Sequence, residues 1–363
     1  MAVQVDDGTV RPISDKRWAQ IVEMLWLRDG SGLVMTASEQ ESDPLQIWYL
    51  SYPDGETHKV TNDLNDYASL GLTADSTGLL AVQSAASSNI WIVPHGETGR
   101  AVQITFTKVD GFKGMSWTPD NHLVYESRAS GNSDLWIADA LGSNPKQLTA
   151  DSPYKADPVV SPDGKHIVFH SSRTGHNNIW RIDIDGSNLK QLTDGPREQL
   201  ADISPDGQWV VYTSALTTST LWKVPLDGGN PVQVTDKPAF MPTLSPDGKL
   251  IACNYFENGR AKIAVIPFDG GQPIKTFESF THPDWMPFHW TPDGQALAYI
   301  DRGVLSSIWT VPVFSDGPPK LLLDFKSGRI FDFAWSHDGS QLAVARGEVT
   351  NDVVLISNFV SRH

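Results

Sequence analysis

The sequence predicts an all-β fold, a propeller built from four-stranded antiparallel blades, and three recurring signals carry that prediction. A turn aspartate recurs at Asp29, Asp75, Asp120, Asp163, Asp206, Asp247, Asp293 and Asp338, with gaps of 46, 45, 43, 43, 41, 46 and 45 residues. Each is followed 16 to 19 residues later by Trp48, Trp91, Trp136, Trp180, Trp222, Ala264, Trp309 or Val354. A Gln-Leu-Thr pattern closes the repeat, as in Gln103-Ile104-Thr105, Gln147-Leu148-Thr149, Gln191-Leu192-Thr193 and Gln233-Val234-Thr235. A period of about 40–45 residues with four strands per repeat is the signature of a propeller.

The stretch from Asp157 to Thr193 shows one repeat in full. Apolar runs at Val159–Val160, Ile167–Phe169, Ile179–Ile184 and Leu189–Thr193 are separated by Pro162-Asp163-Gly164, Arg173-Thr174-Gly175 and Asp185-Gly186. Short runs with Asp-Gly between them read as strands joined by hairpins. A lone meander leaves apolar faces uncovered, so the repeats must stack. In the first strands, Met24, Leu70, Met115, Pro158, Ala201, Pro242, Phe288 and Phe333 share a face with Trp26, Leu72, Trp117, Val160, Ile203, Leu244, Trp290 and Trp335. Both sets are expected to pack between neighbouring blades.

Taken in order, the markers predict one propeller over residues 1–363, with blades beginning at about 18, 67, 112, 155, 198, 239, 285 and 330. Residues 1–14 read as the second half of a repeat, and the eighth repeat lacks a fourth strand. The N-terminal strand is therefore expected to complete the last blade and remove its exposed edges. Eight blades result; seven is the alternative if the second repeat, Leu72-Thr73-Ala74-Asp75-Ser76, does not form a full blade.

Composition narrows the function. The net charge of −15 and pI near 5.0 argue against nucleic acid and against an anionic membrane surface. Cys253 is the only cysteine, which leaves no intramolecular disulfide. No apolar run reaches the roughly 18 residues of a membrane span. The opening MAVQVDDGTV has neither the basic nor the apolar region of a signal peptide. A monomer with no cofactor is expected.

The repeats SPDGKHIVFHSSRTGHNNIWRIDIDGSNLKQLT and WTPDNHLVYESRASGNSDLWIADALGSNPKQLT resemble the WD40-like repeat of TolB-type propellers, over nearly the whole chain. The ending FAWSHDGSQLAVARGEVTNDVVLISNF resembles the close of propellers attached to bacterial membrane serine/threonine kinases. That resemblance implies a periplasmic sensor domain of a larger signalling protein and supplies no catalytic residues. Similar propellers accompany a hydrolase in prolyl-oligopeptidase-like peptidases, but no G-x-S-x-G occurs: Gly114-Met115-Ser116-Trp117-Thr118 fails at its last position. H-E-x-x-H, C-x-x-C, the P-loop and G-x-G-x-x-G are also absent from the sequence. The His166/His170 and His282/His289 pairs are too sparse to predict a metal site.

Binding is expected on the rim that carries the longer loops between strands two and three, Ser127–Asp134, Ser171–Asn178, Tyr255–Ala261, Asp301–Ser307 and Arg346–Asp352. They hold Arg128, Arg173, Arg260, Arg302 and Arg346, and the loops before strand one add Tyr67, Phe112, Trp285 and Arg329, with Asp157 and Asp332 near the channel. Arginine and aromatic side chains on one loop surface suit a protein, peptide or small anionic solute. The competing expectation ties each arginine to a neighbouring blade. A non-catalytic binding module is the first reading, and a propeller hydrolase or lyase acting in the channel is the second.

Overall fold

The computed structural model describes residues 1–39, 44–150, 154–215, 218–257, 259–278, 287–301 and 306–359. The described residues are strands and turns apart from one 3-10 turn at Thr98–Arg100. They fall into two compact units, one of Met1–Ala86 with Val349–His363, the other of Ser87–Glu348.

The second unit holds six four-stranded antiparallel sheets. Five are consecutive meanders, starting with the strands Asp110–Trp117, Lys155–Val160, Glu198–Ile203, Ala239–Leu244 and Phe288–Trp290. The sixth is composite: Arg329–Trp335 pairs with the start of Gln341–Ser357, which pairs with the end of Gly78–Pro94, and Val102–Gln103 adds the outer edge. Apolar clusters fill each gap between successive sheets. Val124 and Leu135 meet Ile167 and Phe169, and Val168 and Ile179 meet Val210 and Tyr212. Val211 and Leu221 meet Ile251 and Cys253, and Ala252 and Ile263 meet Phe288 and Leu297. Ala298 and Ile308 meet Phe333 and Leu342, and Ala343 and Ile90 return to Trp117 and Leu123. The six interfaces close a ring, a β-propeller.

The first unit holds one complete meander, Gln20–Trp26, Gly32–Ser38, Gln46–Ser51 and Thr57–Lys59. It packs against a second sheet made of Asp66–Leu72, the start of Gly78–Pro94 and the end of Gln341–Ser357, through Val34, Ile47, Leu70, Leu79 and Ala81.

Three expectations are corrected by the sheet pairing. Residues 1–14 do not complete the last blade: Val10–Arg11 pairs only with Ala2–Val3, as a two-stranded sheet. The strand that completes the last repeat comes instead from the second one, so the expected ring of eight is not formed by these sheets. The cause lies in the middle of those two repeats. Elsewhere a turn such as Arg173-Thr174-Gly175 separates strands two and three, with Gly175 at φ 99°. Gln83-Ser84-Ala85-Ala86-Ser87-Ser88-Asn89 has neither glycine nor proline, and the chain runs on as one 17-residue strand. Its counterpart across the sheet, Gln341–Ser357, is equally long, so Arg346–Asp352 is strand rather than loop.

The repeat signals have direct physical meaning. In the Gln-Leu-Thr pattern the glutamine side chain donates to the threonine carbonyl two residues on, at 2.7–2.8 Å in four repeats. The threonine hydroxyl accepts the amide that opens strand three, as Thr149 does from Leu135 at 3.0 Å. The turn aspartates accept from a hydroxyl two residues before and an amide two residues after, as Asp163 does from Ser161 and Lys165. Those bonds favour the carboxylate and hold Asp75, Asp163 and Asp338 down at about 2.

Candidate functional site

The first strands of the second unit are not regular. Register shifts fall between Asp110 and Met115, Ala156 and Val159, Gln199 and Asp202, Phe240 and Thr243, and Ile330 and Asp332. Gly114, Asp157, Leu200 and Met241 take positive φ at these bulges. A bulge re-aims side chains next to a site. Gly114 is obligatory in a second way: a Cβ there would lie 2.7 Å from the Asp157 Cα.

The bulges of Asp110–Trp117, Lys155–Val160 and Arg329–Trp335 collect a group of charged side chains. Asp157 Oδ2 lies 3.3 Å from His170 Nδ1. Burial raises the Asp157 carboxyl to about 7; Lys113 opposes the shift, while the Asp332 and Glu126 carboxylates add to it. Burial, and next the positive charge of Lys113, push His170 down to about 3, so its ring is neutral. Glu126 is also raised by burial, although Arg128, Ser133 and the Lys113 amide favour its charged form. Its Oε1 accepts from Ser133 at 2.7 Å and lies 3.6 Å from Arg128 Nε. His289 Nε2 sits 3.5 Å from Asp332 Oδ1, and its ring meets Phe333 edge-on. Asp202, raised by burial, accepts the amides of Leu244 and Ile203 at 2.7 and 2.8 Å.

Arg128 links these acids to a cluster of aromatic and cationic side chains. Phe112 and Phe331 pack with centroids 4.6 Å apart. Lys113 and Arg128 lie 5.2 and 5.8 Å from the Phe112 centroid, and Arg329 lies 5.7 Å from that of Phe331. Among the described residues neither Lys113 nor Arg329 forms an ion pair with an acidic side chain.

Five of the eleven residues expected from sequence therefore meet: Phe112, Arg128, Asp157, Arg329 and Asp332. Arg173 stacks 4.8 Å from the Trp180 ring. Arg346 is held between Phe325 and Trp91, at 4.1 and 5.2 Å, and donates to the Ser327 carbonyl; burial lowers its pKa. Arg260 is exposed on its strand, opposite Glu257, in a hairpin tighter than the expected Tyr255–Ala261 loop. Tyr67 is a buried residue of the first unit; it donates to Asp63 and accepts from Gln83. Trp285, Arg302 and His282 lie outside the described residues. His166 is apart from His170, 3.0 Å from Asp183. Lys113, Glu126 and Phe331 are the site residues that the repeat pattern did not single out. Only their place beside a bulge brings them in, and a bulge leaves no mark in an alternation of apolar residues.

The fold and this constellation define an all-β propeller whose first strands gather titratable, cationic and aromatic groups. Residues 80–237 match the family model described as the TolB beta propeller domain. A putative TolB from Agrobacterium tumefaciens is similar in structure, with 20% identity and a TM-score of 0.58 over 72% of this chain and 98% of that one. TolB from Acinetobacter baumannii matches with 18% identity and a TM-score of 0.41, over 71% of this chain and 65% of that one. A gluconolactonase from Xanthomonas campestris matches with 14% identity and a TM-score of 0.49, over 78% of this chain and 95% of that one. The last two superpose too loosely to bear on the argument. No curated protein sequence matches the chain. Residues 80–237 are thus similar to the TolB beta propeller domain, and the chain has a β-propeller fold.

Proposed function

We propose that the chain is a non-catalytic recognition propeller, the extracytoplasmic sensor domain of a larger bacterial signalling protein. Its second unit binds a carboxylate-bearing peptide, protein terminus or small anionic solute at the Phe112–Phe331 layer. The observation that carries this reading is the pair of cations, Lys113 and Arg329, which rest on phenyl rings and form no salt bridge among the described residues, the Lys113 charge bearing also on Asp157 and Glu126. A ligand carboxylate would meet both, with Arg128 beside them. Asp157, with a carboxyl raised to about 7, can donate a proton in a hydrogen bond near neutrality.

Charge-assisted hydrogen bonds contribute about 1.5–3 kcal/mol each, roughly ten- to a hundredfold in affinity. Titration calorimetry with a peptide library bearing free C-terminal carboxylates should therefore find binders that lose at least about tenfold on amidation. The same loss is expected for Lys113→Ala and Arg329→Ala. Equal binding of acid and amide forms, or binding indifferent to both substitutions, defeats the proposal.

Asp157 favours a second reading. A carboxyl near 7 beside a neutral histidine suits acid–base work in a channel. Turnover of any ester or glycoside that Asp157→Asn abolishes would move the protein into the enzyme class.

A further inference from the structure

The first unit has two uncovered apolar faces, and the rest of the molecule shows what covers such faces. In the second unit, the apolar pair on each described first strand is packed against the sheet before it. Met115 and Trp117 are 6% and 7% exposed, and Ala201, Ile203, Phe288, Trp290 and Phe333 are likewise buried. In the first unit's Asp66–Leu72 strand, Leu70 is buried too. The equivalent pair on Gln20–Trp26 stands open: Met24 is 58% and Trp26 51% exposed, with Ile21 beside them. Cross-strand register places Ile21, Met24 and Trp26 opposite Ala37, Met35 and Leu33 on one face. Ile13 and Trp18 cover the outer part of that face and leave the inner part bare.

The other end of the unit mirrors this. On the sheet of Asp66–Leu72, Val354 and Ile356 turn towards the internal cluster, and Val353 and Leu355 turn away from it, 73% and 65% exposed, with Leu80 on the same side. Throughout the second unit that side of a sheet faces the next one: Val124 and Leu135 do so on the sheet of Asp110–Trp117. The first unit thus ends in a face that lacks its preceding sheet and a face that lacks its following one. The two are complementary by the packing rule that the chain itself repeats.

We propose that a second copy of this chain covers both. The Met24/Trp26 face of one protomer receives the Leu80/Val353/Leu355 face of its partner, and the reciprocal contact forms at the same time. Two sheets from each chain then close a four-bladed ring on a two-fold axis. Propellers run from about four to eight blades, so the ring is of an allowed size, and a head-to-tail contact that closes is bounded while an open one grows into a filament.

Sedimentation and light scattering on the full chain test this. The expected state is a dimer at micromolar concentration. Trp26→Glu and Leu355→Glu should each yield monomers with the circular dichroism of the wild type, since both side chains already meet solvent, and their melting should lose the wild type's dependence on protein concentration. Mixing the two variants should restore pairing, weaker than wild type, because one of the two contacts is then intact. A monomeric wild type overturns the proposal, as does a filament. A dimer that survives both substitutions, or a pair of variants that does not recombine, overturns it as well.

Discussion

Asp157 shows how one residue couples the bulge to the site. Its φ of 51° is costly for most side chains but tolerable for Asp and Asn, and it turns the carboxyl towards His170. The sequence placed Asp157 near the channel, but not its protonation, because that depends on burial in the folded chain and on the charges of Lys113, Asp332 and Glu126 arriving from other sheets. The folded value of about 7 lies above the ordinary value of roughly 3.9. A raised carboxyl contributes stability that is present below the unfolded value and lost as pH rises through the folded one. Asp157→Asn keeps the backbone preference and removes the titration. This variant should melt above the wild type at pH 8, and the gap should narrow steadily as pH falls towards 4. Thermal melts across that range check it; a gap that stays constant would mean that Asp157 is ionised throughout. The turn aspartates behave oppositely and were legible, since their partners lie within two residues in sequence.

At the scale of elements, the sequence identified the meanders correctly because turn chemistry and apolar alternation are both local. Trp117 and Trp290 pack between sheets as the repeat required, and their indoles donate to the Ala334 and Thr243 carbonyls, each at 3.1 Å. What local reading could not decide was partnership. The two-residue strand Val10–Arg11 has the composition of a closing strand, yet competes with a better candidate: the 17-residue strand Gly78–Pro94 pairs with Gln341–Ser357, of equal length. A long strand adds one ladder bond after another, whereas Val10–Arg11 offers two residues. The expected consequence concerns the hairpin itself. Deleting residues 1–10 should change unfolding free energy by no more than about 0.5 kcal/mol, the usual scale for exposed surface. Ile13 and Trp18, which cover Met35 and Trp48, remain in place. Denaturant titration of the truncated chain is the check, and a loss of several kcal/mol would restore the closing-strand account.

On the whole-molecule scale, a repeat count does not fix a ring. Eight turn aspartates are present, yet six four-stranded sheets form the closed ring, because the second and eighth repeats each give half their strands to one unit and half to the other. Sequence periodicity counts repeats; it does not record which strands of distant repeats pair. The second unit contains everything that its own ring needs. Its closing sheet takes Arg329–Trp335 and residues 341–348 from one end, and residues 87–94 with Val102–Gln103 from the other. All six intersheet clusters lie between residues 87 and 348, from Ile90 through Ala345. Pairing this unit's two ends in one sheet closes its ring and leaves only the short outer edges of each blade. Residues 87–348 expressed alone should therefore fold as a soluble monomer with a β-type circular dichroism spectrum and one cooperative melt, within a few degrees of a transition seen in the full chain. Multi-domain chains need not unfold in one step, so the full chain should show a second transition that the fragment lacks. An aggregated or unfolded fragment would mean that the ring depends on the first unit's sheets and that the two units are one folding body.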